Sequence, residues 1–389
     1  LATPEGGVAA LLGGGKSVAW PDWKQMQIVP GGISANDLEL NLNGQFINRG
    51  QLEVTNNLAI RAAEGIDNFG ASIRAGGYTS LSGGGLDNRD GRIETGTLLT
   101  SLKGDIDNSR GSIVAHDGGY LQASGNIAAT DGRFVSDAGK IVLDAGGNID
   151  LVASKVEGKK GAGLYADGDI RLGATAKAES THKKEDQILV THHYDADNNL
   201  TDPEIRIKIG ETQRRTDTLT HTGTTIDGGE GGVTLRAKGD VVALGSHIKA
   251  GEDVLVQGAS VRVEALVDKS SSLEEEHRKN YDHALFQRSE SLSGGEIEAG
   301  RNLSIVANGK ADAGKGDITL KGATVTAKGD ASLIASRDVN LQDMQTEHGR
   351  FEETYSKKSG FLSKKSTHTV EEGASSLSEG SVLGANNIY

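Results

Sequence analysis

The sequence predicts an all-β protein, a right-handed parallel β-helix solenoid with protruding hairpin or loop insertions. Two residue columns recur about every 20 positions, and self-similarity at this period is typical of a solenoid. The first column has an interval of 20 residues throughout and consists of Asn48, Asn68, Asn88 and Asn108. The second column has intervals of 21, 20 and 20 residues and consists of Leu52, Ile73, Ile93 and Ile113. Between the columns, apolar and polar residues alternate, which is the period of a strand.

The repeat length and the residue types favour a β-helix over other solenoids. A coil of about 20 residues holds two or three strands, and each strand can pair in parallel with its counterpart about 4.8 Å along the axis. A leucine-rich repeat is the alternative at this length. It requires an L-x-x-L-x-L run and usually a helix in each repeat, and the chain shows no helical periodicity.

The asparagine column predicts a structural turn ladder, and the aliphatic column predicts an inward core. Asn tolerates turn conformations and its side chain can bond to the backbone or to a stacked Asn. The accompanying Asp67, Asp87 and Asp107 leave a metal or ligand row as an alternative. The calcium-binding β-helix repeat, G-G-x-G-x-D, is absent from the sequence.

Composition agrees with a thin core and excludes several classes of protein. The 389 residues include 55 Gly, only 4% are aromatic, and the net charge is −13. This acidic balance argues against general nucleic-acid binding. The lack of Cys excludes disulfides and thiolate metal sites. The chain has no run of 18 apolar residues and no signal peptide, and it does not begin with Met, so we expect an internal fragment.

The positions at which the 20-residue period holds or is interrupted divide the chain into seven segments. Residues 1–35 hold three of the four prolines and both tryptophans, and we predict a linker or an N-terminal cap there. Coils of about 20 residues are predicted at 36–175, and further coils at 223–267 and 294–344. Three charge- and His-rich stretches interrupt them: a hairpin insertion at 176–222, an insertion at 268–293, and an insertion with return to the helix at 345–389.

The insertions carry the candidate contact residues. The first insertion is predicted to be a long hairpin with strands at 187–191 and 204–209 around a turn rich in Asp and Asn. The second is compatible with a hairpin or a short helix. Candidate membrane or partner contacts are Ile188, Val190, Ile205, Ile207, Ile209, Phe361 and Leu362. The alternative is that the apolar face of the first hairpin packs on the rod or on a neighbouring insertion.

Neither a metal site nor a catalytic site is predicted. Eight of the ten His lie in the insertions, and a metal site or a proton switch is the alternative to simple exposure. Only His192 and His193 are adjacent, and neighbours in a strand face opposite sides. The Asp column is repeated, whereas catalysis requires a unique constellation. We therefore predict a non-enzymatic chain without a cofactor or metal.

Several short sequence segments resemble the repeats of a known family. Residues 106–113, 248–254 and 297–303 resemble filamentous haemagglutinin repeats. Residues 356–363 are similar to the Ser- and Lys-rich insertions of the second repeat region of these exoproteins. The resemblance covers about residues 33–389. It points to the large exoproteins of two-partner secretion, and best to those of contact-dependent growth inhibition.

The resemblance implies a β-helix that is secreted to the bacterial cell surface. Its implied partners are an outer-membrane secretion transporter, the C-terminal toxin of the parent chain and the target-cell outer membrane, with no nucleic acid. The implied function is association with that membrane to deliver the toxin. The alternatives are a passive adhesin or spacer stalk and, more distantly, a carbohydrate-cleaving β-helix enzyme. The fragment lacks the family's secretion domain, receptor-binding region and toxin, so we expect no toxic activity from it alone.

Overall fold

The computed structural model describes residues 23–191, 205–310, 314–360 and 363–389. The described residues form strands, turns and loops, and they contain no helix. Consistent with this, none of these residues belongs to a helix that is long and apolar enough to cross a membrane.

Fifteen strands form the N-terminal part of the solenoid: β1 Trp23–Ile28, β2 Gly32–Ala35, β3 Leu38–Asn48, β4 Gln51–Val54, β5 Leu58–Asp67, β6 Ser72–Asp87, β7 Arg92–Leu102, β8 Ile106–Asp107, β9 Ser112–Ala123, β10 Ile127–Thr130, β11 Arg133–Ser136, β12 Ile141–Ala145, β13 Ile149–Val152, β14 Lys155–Gly158 and β15 Ala162–Ala166. The next ten include the first two hairpins: β16 Ile170–Thr191, β17 Ile205–Gly223, β18 Thr225–Asp227, β19 Val233–Ala237, β20 Val241–Leu244, β21 His247–Ala250, β22 Val254–Gly258, β23 Val261–Glu264, β24 Leu266–Arg278 and β25 Tyr281–Ser293. The last nine are β26 Glu296–Ala299, β27 Leu303–Ala307, β28 Ile318–Lys321, β29 Thr324–Ala327, β30 Ala331–Ala335, β31 Val339–Gln342, β32 Met344–Ser359, β33 Lys364–Glu379 and β34 Val382–Gly384.

The solenoid is a stack of parallel rungs, and the prediction of a parallel β-helix is confirmed. Each rod strand pairs in parallel with its counterpart one coil further on, as β4 does with β6 and β6 with β7. Side chains alternate between the buried core and solvent, as the pattern of β3 shows. One inward column continues through twelve paired positions: Ile33, Leu52, Ile73, Ile93, Ile113, Phe134, Val156, Ile226, Ile248, Ile297, Val325 and Leu383.

The three insertions are three β-hairpins. Hairpin 1 consists of β16 and β17, hairpin 2 of β24 and β25, and hairpin 3 of β32 and β33, all paired antiparallel. The second insertion is therefore a hairpin and not a short helix. Antiparallel pairing in hairpin 1 extends over Ala174–Thr191. It therefore begins close to the predicted start of the insertion at residue 176, although the predicted strand covered only residues 187–191.

The hairpins pair with one another into one projecting sheet, here called the hairpin sheet. Strand β17 pairs antiparallel with β24, and β25 pairs antiparallel with β32. The strand order is therefore β16, β17, β24, β25, β32 and β33. Because most side chains of both faces are exposed or half-buried, this sheet has no second layer among the described residues.

Geometric matching explains why the hairpins can pair. Hairpins 1, 2 and 3 precede β18, β26 and β34, and these strands are two coils apart along one ladder. Two coils advance the axis by about 9.6 Å, and the two strands of a hairpin occupy about the same width. Each hairpin therefore arrives within hydrogen-bonding distance of the next.

The stack also extends further upstream than predicted. Strand β1 pairs in parallel with β3, and β2 pairs with β4. Coil-type pairing thus begins at Trp23 rather than at residue 36. Residues 1–22 of the predicted linker or cap lie outside the described residues.

Candidate functional site

The four predicted asparagines form a buried ladder. The Nδ2 of Asn48, Asn68 and Asn88 donates to the Oδ1 of the next Asn at 2.8, 2.7 and 2.7 Å. The last member, Asn108, donates to the carbonyl of Arg133 at 3.0 Å. All four side chains are fully buried, so the ladder satisfies polar groups inside the rod and has no access to a solvent ligand.

In three of these turns the left-handed conformation is taken by a residue other than the ladder Asn. Positive φ occurs two residues later, at Gly70, Asp90 and Arg110, with φ of 63°, 54° and 53°. The Asn side chain points inward instead, and it fixes the turn by hydrogen bonding to the backbone, as from Asn68 Nδ2 to the carbonyl of Ala71 at 3.2 Å.

The aspartates beside the ladder have local partners. Asp67 pairs with Arg49 at 2.5 Å, and Asp87 with Arg89 at 2.6 Å. Burial alone would raise the pKa of Asp67, but hydrogen bonds from Arg49 and from the Phe69 N–H lower it overall. These contacts favour the structural interpretation of the column over a ligand row.

The outermost described part of hairpin 1 exposes an apolar cluster, here called the hairpin tip. Hairpin 1 continues beyond the Gly210–Arg278 pair, where its partner strand β24 ends. The side chains in this extension are between 39% and 48% exposed, and the cluster consists of Ile188, Leu189, Val190, Ile207 and Ile209. The predicted members Ile188, Val190, Ile207 and Ile209 are thus brought together. Ile205 is in β17 opposite Thr191.

A β-bulge changes which residues share a face of the hairpin tip. The register shifts between Gln187 and Ile188, and it leaves Ile209 without a cross-strand partner. Leu189 is opposite Ile207, whereas Ile188 is opposite Lys208. The predicted single apolar face is therefore not continuous. Instead, both faces of the tip carry apolar side chains, and cations accompany one of them.

Ion pairs hold the seams between the hairpins. At the first seam, His221 Nδ1 is 2.8 Å from Asp268, and Arg214 pairs with Glu274. The amide of Gln187 also crosses this seam to Glu276 at 2.7 Å, because the intervening Gly210 has no side chain.

The second seam repeats this composition. His283 Nε2 is 3.1 Å from Glu352, and Arg288 is 2.5 Å from Glu347. The hydrogen bond with His283 is the main cause that lowers the pKa of Glu352. Each seam thus combines one Arg–Glu pair with one His–carboxylate pair, and the sequence could not reveal these partners because they are 47 to 69 residues apart.

One face of the hairpin sheet carries a cross-strand apolar row. Leu273 is opposite Phe286, and Phe286 is opposite Phe351. Phe286 is 38% exposed, so the row is a second surface for contact. The predicted contact residues Phe361 and Leu362 lie outside the described residues.

Comparisons with known proteins agree with this architecture. One family model described as a haemagglutinin repeat matches residues 33–110, and a second matches residues 100–281 and 275–382. The 16S rRNA endonuclease CdiA of Enterobacter cloacae is 30% identical over 154 residues. The tRNA nuclease CdiA of Escherichia coli strain STEC_O31 is 39% identical over 70 residues. No solved structure gives a significant match.

The rod, its insertions and these matches define a class, the repeat solenoids of filamentous haemagglutinin-type exoproteins. The chain belongs to the haemagglutinin repeat family. It is a repeat segment of the type found in exoproteins of contact-dependent growth inhibition. The aligned stretches cover 40% and 18% of this chain but only 4% and 2% of the two relatives. The nuclease activities named for those relatives are therefore not assigned to these coils, whose repeated architecture suggests a structural segment.

Proposed function

We propose that this segment of a secreted, cell-surface exoprotein associates with the outer membrane of a target cell through its hairpin sheet. In this role it helps to deliver a toxin located toward the C-terminus of the parent chain. The observation that carries the proposal is the hairpin tip, where Ile188, Leu189 and Ile207 are exposed in the outermost described part of the hairpin sheet. The names of the two relatives, both nucleases, support a parent chain that carries a toxin.

The tip has the chemistry of an interfacial membrane contact. Full burial of a Val, Leu or Ile side chain is worth about 1.5–3 kcal/mol. Five half-exposed side chains therefore offer roughly 5 kcal/mol before the cost of association. Lys208, beside Ile188, is paired with Asp186 at 2.5 Å and with Glu211 at 3.2 Å, so the contact rests on the apolar side chains rather than on this cation. We expect reversible binding at a lipid surface from this segment alone.

Flotation with vesicles of outer-membrane lipids tests the proposal directly. The wild-type chain should float with the vesicles, and the double variant Leu189→Ser/Ile207→Ser should lose most of this binding. The matched control is Leu99→Ser/Ile334→Ser, which removes exposed apolar side chains from coil strands rather than from the tip. Equal flotation of the wild type and the tip variant, or an equal loss in the control, would contradict the proposal.

A passive stalk is the second candidate function, and the N-terminal coils favour it. Strands β1–β15 carry no hairpin, and their buried Asn ladder and inward column suit a rigid spacer. A spacer has no requirement for three hairpins that pair into one sheet, whereas a contact surface does.

Deletion of hairpin 1 in the parent exoprotein separates the two candidates. The Thr224 N–H donates to the Gly173 carbonyl at 3.1 Å, so residues 174–223 can be replaced by a short Gly linker without opening the rod. The delivery function predicts that toxin entry is lost while display of the exoprotein at the cell surface persists. Unchanged toxin entry would favour the spacer.

A further inference from the structure

Three side chains of types that can ligate a metal ion meet on the outer surface of two successive coils. His247 lies on β21, and Glu296 lies opposite it on β26. Glu298 is two residues further along β26, so it points to the same side. One ligand atom from each of the three residues lies within 4.8 Å of the other two. The closest pair is His247 Nδ1 and Glu296 Oε2, at 2.6 Å.

We propose that His247, Glu296 and Glu298 bind a divalent first-row transition ion such as Zn²⁺, at the root of hairpin 2. One imidazole nitrogen and two carboxylate oxygens are a donor set that suits Zn²⁺ or Co²⁺. Ligand atoms around a tetrahedral Zn²⁺ are about 3.3 Å apart. Rotation of the half-exposed Glu298 side chain can close the remaining gap, and water can take the fourth position.

A second His–carboxylate cluster shows why geometry, rather than composition, carries this proposal. His116 also has two carboxylates, but Asp137 is 2.7 Å from its Nδ1 and Glu94 is 3.3 Å from its Nε2. The two nitrogens of an imidazole point in divergent directions, so these carboxylates cannot share one ion with either nitrogen. The rod therefore contains its own matched control.

A nearby cation competes for the proposed site. Lys249 Nζ is 3.7 Å from Glu298 Oε2, and it neutralises part of the charge of the glutamates. Its side chain is 56% exposed, so it can swing into solvent when an ion binds. Removal of this ammonium should therefore strengthen metal binding.

The position of the site gives the ion a structural consequence. Hairpin 2 lies between His247 and Glu296 in the sequence, and β26 begins directly after Gly294 and Gly295. Both glycines have positive φ, of 68° and 74°. An ion would link the coil before hairpin 2 to the coil after it, and so would stiffen the base from which the central hairpin projects.

The prediction from sequence did not consider this cluster, and the reason is physical. That prediction weighed the histidines of the insertions, whereas His247 belongs to a coil. His247 and Glu296 are 49 residues apart and become neighbours only because hairpin 2 leaves the rod between them. If the residues of the insertion are left out of the repeat, His247 and Glu296 fall at equivalent positions of successive coils.

Isothermal titration of the purified, metal-free chain with Zn²⁺ tests the proposal. We expect a component of binding that His247→Gln and Glu298→Gln each weaken at least about tenfold, because loss of a direct ligand costs no less than loss of its supporting contacts. Lys249→Ala should tighten it several-fold. His116→Gln should leave it unchanged. The His and Glu variants replace half-buried side chains on the outer surface of the rod. Their metal-free melting temperatures, measured at the pH of the titration, should change only by the small amount that the loss of a surface ion pair causes, which excludes unfolding as the cause.

Two further outcomes decide the proposal. Substitution of Co²⁺ should give visible d–d absorption bands typical of a four-coordinate N/O site, and His247→Gln should abolish them. If His247→Gln and His116→Gln have the same effect on the titration, binding is only general adsorption to surface histidines, and the proposal is wrong. It is equally wrong if the wild type binds no Zn²⁺.

Discussion

The rod and the hairpin sheet are built from the same strands but stabilised in different ways. In the rod, every second side chain enters a continuous core, and Ile93 is fully buried at its centre. In the hairpin sheet, side chains of both faces reach solvent, and Ile207 is 48% exposed. The rod therefore depends on side-chain burial, whereas the sheet depends on backbone pairing and on ion pairs at its seams.

Within one chain, this difference assigns stability mainly to the rod and the surface for contact with partners mainly to the hairpin sheet. A single-layer sheet with two solvated faces gains little from the hydrophobic effect. It remains in place because its roots continue directly into rod strands, as β16 does when Ile170 pairs with Ile149 and Val241. The rod fixes the spacing and the sheet presents the surface, so substitutions in the two regions should have separable effects.

The largest expected effect comes from a matched pair of Ile→Ala substitutions. Ile93→Ala leaves a cavity in the inward column and should lower the free energy of local unfolding by about 2–5 kcal/mol. Ile207→Ala removes an exposed side chain and should cost less than about 0.5 kcal/mol. Hydrogen exchange of the β7 and β17 amides measures each effect locally, which suits a solenoid that can open in parts.

A similar loss in the free energy of local unfolding for Ile93→Ala and Ile207→Ala would contradict this comparison. It would mean that a covering layer buries the hairpin tip. Leu99→Ala provides a control within the rod. Leu99 is exposed although its strand, β7, also contains Ile93, so its truncation should resemble that of Ile207.

The second effect concerns the asparagine ladder. Asn88→Ala removes the acceptor of Asn68 and the donor to Asn108 at the centre of a buried chain of amides. Unsatisfied buried polar groups cost about 1–3 kcal/mol each. We expect a loss of this size in the local stability of β6 and β8, again measured by hydrogen exchange.

Asn41→Ala is the appropriate control for the ladder, because the Asn41 amide donates to Glu39 at an exposed position, at 3.2 Å. The expected change there is within about 0.5 kcal/mol. A tolerated Asn88→Ala would mean that water or a backbone shift satisfies the ladder, and that the column sets the turn rather than the stability.

The two regions also differ in how far the sequence predicts them. The rod was predictable because its information is local: Ile73 and Ile93 repeat at the length of one coil, and each coil packs mainly on its neighbours. The existence of hairpin 1 followed from its alternating residues. The predicted insertion at 176–222 nearly matches the paired span, which begins at the pair of Ala174 and Gly223. The extent of its strands was not predicted, because Thr175, Thr212 and Thr218 lie outside the apolar alternation.

The hairpin sheet itself could not be predicted from any one insertion. The pairing of β17 with β24 depends on the number of coils between two insertions, which is a property of the assembled rod. The bulge at Gln187 likewise depends on Gly210 and Glu276, from two other strands. The repeated interval of two coils between insertions was the available signal for the sheet.

The smallest expected effect is a pH dependence within the rod. The hydrogen bond with Asp137 is the main cause that raises the pKa of His116 above its ordinary value of 6.5, and Glu94 contributes further. A raised pKa means that the folded rod binds the proton more tightly than the unfolded chain. This stabilisation is fully present below pH 6.5 and is lost as the pH rises through the pKa of the folded state.

His116→Gln should therefore destabilise the region around β9 at pH 6 and have almost no effect at pH 8.5. Because the His116 side chain is 45% exposed, solvent screening limits the effect to a few tenths of a kcal/mol, about the value of a surface ion pair. Melting curves at the two pH values check this, with 0.5 M NaCl expected to reduce the difference. In the sheet, His283→Gln removes the contact with Glu352 and should loosen the seam of β25 and β32 while it leaves hydrogen exchange in β9 unchanged. An effect of His283→Gln on β9 would show that the hairpin sheet and the rod are one cooperative unit rather than two separable regions.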